Sequence, residues 1–199
     1  MNTGKIVKYT EGMNWDSIIP FSINRIYWSE PTEICAEARI CYDEDAIYVR
    51  LTAQEREIRA EEKGPSGMPC EDSCLEFFLA PDPEDSRYLN FEFNPNACMY
   101  LGIATGIQDL IRLLPENAKL FQPCVEMMET GWSITYQIPN YFIRFFFPKF
   151  EAVSGRKVRA NFYKCGDKTR IPHFLSWNEL TSPAPDFHRS CDFGELFFE

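Results

Sequence analysis

Absences narrow the chemistry first. Among 8 cysteines no two are spaced as CxxC, and the 2 histidines, His173 and His188, lack the spacing of paired metal ligands on a helix. The sequence signature of a zinc site is therefore missing. No GxSxG, P-loop, GxGxxG or HExxH occurs, which removes the common nucleophilic, phosphate-cradling and metalloprotease motifs. Apolar runs are short: Tyr141 to Phe147 is interrupted by Arg144 and falls far below the ~20 residues of a membrane-crossing helix, so no membrane partner is expected. Lys and Arg number 20 against 30 Asp and Glu, a net charge of −10. The basic residues are scattered, whereas phosphate backbones are held by clustered ones, so no nucleic acid is expected. Met1 to Gly12 is polar and has no apolar leader core. A cytoplasmic location is favoured, and a secreted one if a leader had been trimmed away.

What the chain does contain is apolar bulk. Its 199 residues include 17 Phe, 9 Tyr and 4 Trp, and a chain of this length buries roughly 70% of its unfolded surface, enough for a core without staples. Several cysteines (Cys41, Cys74, Cys98) sit inside apolar runs, where they act as small hydrophobes, so mostly free thiols are expected rather than the disulfides of an exported form. Short runs rich in Val, Ile, Phe and Tyr alternate with turn residues along the whole length, predicting one all-β domain over 1–199, with 1–33 as an N-terminal extension packed on it. Strands are expected at Glu37–Tyr42, Ala46–Ala53, Cys74–Ala80, Tyr88–Asn94, Met99–Ala104, Pro123–Met128, Gly131–Ile138, Lys157–Lys164 and Phe193–Phe198. The fold class is a two-sheet antiparallel β-sandwich of jelly-roll or immunoglobulin-like form with one or two short connecting helices. One helix would carry Ile107, Leu110, Ile111 and Leu114 and stop before Pro115; the other would start at an Asn140 cap and run through Phe146. The Gly- and Pro-rich loop Gly64–Asp72 is of the kind that borders a ligand site.

One hairpin fixes its own register. Leu75, Phe77 and Leu79 share one face of their strand, and Leu89, Phe91 and Phe93 share one face of theirs. Antiparallel pairing then sets Leu79 against Leu89, Phe77 against Phe91 and Leu75 against Phe93, while a one-residue slip would oppose core and polar side chains. The other face sets Glu76 against Glu92. Two carboxylates ~5 Å apart repel unless a cation, a basic side chain or a shared proton intervenes. Either the face is solvated, or it is a polar sheet face beneath an aromatic rim.

The run Asp72–Leu79, the run Tyr88–Asn94 and Gly131-Trp132 leading to Ile138-Pro139 together resemble the family 9 carbohydrate-binding modules. Tyr42-Asp43 before Ile47-Tyr48-Val49, Arg159–Lys164, Ser176-Trp177 and Phe193-Gly194-Glu195-Leu196 extend the resemblance from Ile34 to Phe198. It implies a β-sandwich whose relatives are mostly non-catalytic accessory domains of polysaccharide-degrading enzymes; the best-known of them clasp sugar ends between two tryptophans, and bound calcium is known in the family. The family's strand carboxylate maps onto Glu76 and its strand asparagine onto Asn94. Its first tryptophan should fall within Met68–Asp72, where no aromatic stands. Its second falls at Phe187 or His188, and the position of its arginine is Glu92.

The expected ligand site is thus Glu76, Glu92, Asn94, Asn161, Trp177, Phe187 and His188, with carbohydrate as partner, no catalytic residue and no required cofactor. Trp15, Trp28 and Trp132 are read as packing residues. Structural calcium and the choice of metal, proton or basic side chain at the Glu76–Glu92 pair stay open, as does the oligomeric state; Asp43, Asp45 and Glu71-Asp72 are further candidate calcium ligands. Two alternatives remain. One is a glycoside hydrolase using the Glu pair, since such enzymes work with two carboxyls ~5 to 9.5 Å apart. The other is a protein interaction module, suggested by the Phe-rich stretch Tyr141–Phe150.

Overall fold

A computed structural model describes residues 1–114 and 118–199. Its strands are β1 (Thr3–Lys8), β2 (Phe21–Ile23), β3 (Arg25–Ile26), β4 (Cys35–Tyr42), β5 (Ala46–Gln54), β6 (Cys74–Ala80), β7 (Tyr88–Phe93), β8 (Met99–Ala104), β9 (Ile111–Arg112), β10 (Cys124–Met128), β11 (Gly131–Pro139), β12 (Lys157–Cys165), β13 (Phe174–Ser176) and β14 (Gly194–Phe198). One α-helix, α1 (Asn140–Phe146), follows β11. The strands join in one mixed, curled sheet in the order β10-β11-β5-β4-β1-β14-β12-β6-β7-β8-β9, with β2 beside β4, β13 beside β12 and β3 beside β13.

The expectation of antiparallel pairing throughout is corrected at β1. Thr3–Ile6 run parallel to Glu195–Phe198 of β14, and Val7 and Lys8 run parallel to Cys41 and Tyr42 of β4. This strand stitches the two halves of the sheet together. Residues 1–33, expected as an extension packed on the sheet, supply β1, β2 and β3 within it.

The β6–β7 hairpin has the register that its alternation dictates, with Leu75 opposite Phe93, Glu76 opposite Glu92, Phe77 opposite Phe91 and Leu79 opposite Leu89. Its apolar face meets Ile134, Tyr136 and Ile138 of β11 and Ile47, Val49 and Leu51 of β5 in one core. The Phe93 and Tyr136 rings are 4.7 Å apart across that core. Each such side chain, fully buried, contributes about 1.5–3 kcal/mol by removal from water.

One helix expectation changes, and the other keeps its bounds but not its cap. Ile107–Asp109 forms a single 3-10 turn, and Ile111 and Arg112 pair with β8 as β9 instead of continuing a helix. The expected stop, Pro115, lies outside the described residues. Asn140 opens α1 but makes no cap; its amide is buried and donates to the carbonyls of Asp43 and Glu44.

β4 and β5 alternate buried and part-exposed positions, as a strand with one solvated face should. β6 and β7 do not. Every residue in both is buried, because a second apolar cluster of Phe78, Tyr88, Tyr163, Leu180, Phe187 and Phe193 covers the outer face. The hairpin face expected to meet water or a rim lies under chain, and the opening left in that cover is the groove described next.

A covered acidic groove

A groove of about 520 Å³ opens onto β6, β7 and β8. Glu76 and Glu92 form its floor, side by side on neighbouring strands and only 3% and 5% exposed. Glu76 Oε1 accepts a hydrogen bond from the Cys165 thiol at 3.0 Å, and Glu92 Oε1 accepts one from the Asn90 amide at 2.8 Å. No Lys or Arg forms an ion pair with either carboxylate among the described residues.

Burial therefore acts on the pair directly. It pushes the Glu76 carboxyl from its ordinary 4.5 up to about 7, against the Cys165 hydrogen bond and with help from nearby Asp167. Glu92 is driven well above the usual carboxylate range, by burial first and by the Glu76 charge second, with the Asn90 amide and Arg112 opposing. At neutral pH the pair holds a proton. It can donate one hydrogen bond and accept several.

Much of the wall comes from three segments. The loop Gly64–Asp72 brings Met68 and Cys70, its end pinned by the buried Asp72 carboxylate, which accepts from the Glu61 and Glu62 amides. β8 brings Tyr100, whose ring carries the Arg112 guanidinium 4.5 Å above its centre. The loop Ser182–His188 brings Pro185, Asp186, Phe187 and His188. It is anchored by Asp186 accepting from the His188 amide at 2.9 Å and by the Tyr88 hydroxyl meeting His188 Nδ1 at 2.9 Å. Burial lowers the His188 imidazole from 6.5 to about 4, so it is neutral at pH 7.

The tryptophan in the wall is Trp28, read from sequence as a packing residue. Its indole Nε1 donates to the Ser182 carbonyl at 3.0 Å, and its ring leans on Tyr27, Phe174 and Phe187. The backbone there has φ 51°, a left-handed conformation costly for a bulky side chain, sustained by the surrounding contacts. The preceding residues are held by β3, whose Ile26 pairs with Leu175 of β13. No local periodicity marks Trp28 as a wall residue; the available signal is the aromatic pair Tyr27-Trp28 just before the polar run Ser29–Glu33.

Of the seven sequence-predicted site residues, Glu76, Glu92, Phe187 and His188 line this groove and three do not. Asn94 is saturated elsewhere: its amide donates to Asp72 Oδ2 and to the Glu62 carbonyl, and its oxygen accepts from the Asn96 and Cys98 amides. Asn161 is likewise committed to the Phe162 and Asn178 amides and the Asp192 carbonyl. Trp177, expected as an exposed ring beside a groove, is 6% exposed and packs edge-on against Phe21 and Phe162 in the main core. Phe187 offers little free ring face, since it stacks on Tyr163 at 4.1 Å.

Two further expectations can be placed. Asp43 caps its own turn, accepting from the Asp45 and Ala46 amides and the Tyr48 hydroxyl. In the Phe-rich stretch, Tyr141 and Phe145 are exposed while Phe147 and Phe150 belong to the core. All eight cysteines are free.

Comparison with known proteins supplies independent findings. Residues 10–198 match a family model described as carbohydrate-binding family 9. Among solved structures, a protein of Bacteroides uniformis provisionally assigned as carbohydrate-binding is similar with TM-score 0.82 and 27% identity, over 100% of this chain and 98% of the other. A family 9 carbohydrate-binding module of Caldicellulosiruptor kristjanssonii in complex with cellotriose is similar with TM-score 0.72 and 13% identity, covering 100% and 94%. The glucose complex of a family 9 module from that organism gives TM-score 0.71 and 14% identity, covering 100% and 96%. No curated protein matches the chain.

Proposed function

The chain belongs to carbohydrate-binding family 9, and from that premise we propose that the groove between Trp28 and the Glu76–Glu92 pair is its sugar site, binding without cleaving. The observation that carries this reading is the placement of an aromatic ring and two buried carboxyls, both held above their ordinary range, in one groove. A pyranose needs both. Its C–H face stacks on a ring, and its hydroxyls need fixed donors and acceptors. The charged side chains of the lining are Glu76, Glu92, Asp167 and Asp186, with no Lys or Arg among them. Such a lining favours a neutral sugar over a uronic acid or a sulfated one, whose charge it would repel. We read the curled sheet as a jelly-roll-like sandwich whose outer cover has been adapted to frame this groove.

Calorimetry with glucose and cellotriose, then a wider panel of neutral mono- and oligosaccharides and galacturonate, tests the proposal. Millimolar or tighter binding of a neutral sugar, with none of the uronate, supports it; no neutral sugar binding at millimolar concentration overturns it.

A hydrolase reading draws on the same pair, because a protonated carboxyl beside a second one is the general-acid half of glycoside hydrolysis. Turnover of chromogenic glycosides by the native chain, abolished in Glu76→Gln and in Glu92→Gln, would establish it. Equal background rates in all three proteins would dismiss it.

A further inference from the structure

Two thiols stand against the Glu76 carboxylate. Cys74 of β6 and Cys165 of β12 are register partners on adjacent central strands, and Glu76, two positions beyond Cys74, projects from the same face. Cys165 Sγ is 3.0 Å from Glu76 Oε1. One ligating atom from each of Cys74, Glu76 and Cys165 lies within 4.8 Å of the others, and all three residues are buried. Glu76 and Cys165 also line the groove, so an ion could reach them from solvent.

Two sulfurs and one carboxylate oxygen form a mixed donor set that discriminates among cations. Calcium and magnesium take oxygen ligands, and the sulfurs offer them nothing. Zinc accepts both, at about 2.3 Å to sulfur and about 2.0–2.2 Å to oxygen, which puts neighbouring ligand atoms roughly 3.5–3.8 Å apart in a tetrahedron. The three atoms, within 4.8 Å of one another, would close to that spacing on binding. The usual sequence signature is absent because the donors come from two strands that are distant in sequence.

We propose that Cys74, Cys165 and Glu76 form a binding site for a zinc-class divalent ion at the floor of the groove, with its remaining position turned toward the groove and Glu92. On binding, two metal–sulfur bonds and one metal–oxygen bond form, two S–H bonds break, and both protons pass to solvent with no change of oxidation state. The ion would also relieve the carboxylate crowding, which no ion pair to a Lys or Arg relieves among the described residues. The site does not depend on the sugar reading.

The test uses the whole reduced protein, stripped with chelator and titrated with Zn²⁺ against a chromophoric competitor. One ion per chain is expected, and Co²⁺ in its place should give a thiolate-to-metal charge-transfer band. Cys74→Ser and Cys165→Ser should each weaken Zn²⁺ more than ~100-fold, beyond the ~10–100-fold that loss of an outer partner gives, whereas Cys124→Ser, at an exposed position on β10, should not. Failure to bind stoichiometrically, a Co²⁺ complex with no sulfur band, or equal weakening by Cys124→Ser would each overturn the assignment. The spectrum of the native chain decides the matter even if a serine variant fails to fold.

Discussion

Replacing Trp28 with alanine tests the groove most directly. The ring is half-buried, touches Tyr27, Phe174 and Phe187, and is held by the bond from its indole nitrogen to the Ser182 carbonyl. Removing an aromatic anchor of this kind from a binding surface costs about 2 kcal/mol or more, or roughly 30-fold in affinity. Trp28→Phe keeps a stacking face and loses chiefly the Ser182 bond. It should cost about 1 kcal/mol, roughly fivefold. Calorimetry with cellotriose or whichever neutral sugar binds the native chain gives both numbers, and thermal unfolding confirms that each variant is folded at the assay temperature. Trp15→Ala is the control, because Trp15 lines a separate depression with Tyr9, Ile18, Cys41 and Tyr48. Trp28→Ala binding within twofold of the native chain, or Trp15→Ala weakening binding as much, would refute the assignment of the ring.

Three further outcomes follow from the packing. Lys164 is wholly buried, 3.1 Å from Glu55 Oε2 and 2.7 Å from His173 Nε2; Lys164→Met strands the buried Glu55 charge and should cost about 3–5 kcal/mol in urea unfolding, with Glu55→Gln added to it recovering much of the loss. Trp177→Ala opens a core cavity and should cost about 3–5 kcal/mol, yet leave sugar affinity of the folded fraction unchanged, a result that affinity loss without destabilisation would contradict. His188 has a native pKa of about 4 against an ordinary 6.5, so the unfolded chain binds the extra proton between those values and native stability falls as pH drops through that window. At roughly 1.4 kcal/mol per pH unit the effect is at most about 3.5 kcal/mol, and His188→Asn should remove it, so the stability difference between native and variant must change sign or size between pH 6.5 and 4; a constant difference would exclude it.

The strands legible in sequence are those whose own alternation carries the information. β6 and β7 show period-2 apolar faces, so their pairing, and with it the meeting of Glu76 and Glu92, follows without coordinates. β1, β2, β3, β9 and β13 were not legible for a physical reason. Apart from β1 they are two or three residues long, and β1, β3 and β13 draw on partners far away in sequence, as when Thr3 pairs with Glu195 or Ile26 with Leu175, while β9 is a two-residue return onto the neighbouring β8. The site divides in the same way. Residues on the regular hairpin were placed correctly on one face, but what covers that face depends on loops whose course no periodicity reveals. Asn94 and Asn161 have the chemistry of sugar ligands, and the fold spends that chemistry on holding loops. Trp28 has it too, and only the β3–β13 pairing brings it to the groove.

The substitution of Glu92 at the position where the resemblance implies an arginine need not empty the site of donors. A guanidinium donates and carries charge; a carboxyl that burial and the neighbouring Glu76 keep protonated donates and carries none. The exchange therefore keeps a hydrogen for a sugar hydroxyl while removing the cation that would attract an acidic sugar, consistent with a lining whose charged groups are all acids. It also relocates the sensitivity of the site to pH. Burial and mutual repulsion hold both carboxyls above their ordinary range, so the pair as a unit keeps a proton at neutral pH and gives it up as the pH rises. Affinity for a neutral sugar should accordingly fall as the pH rises far enough for the pair to lose its shared proton and for the two like charges to face each other. In Glu92→Gln the donor cannot be titrated away, so its affinity should stay level where that of the native chain falls; parallel pH profiles for the two proteins would show that Glu92 does not supply the hydrogen.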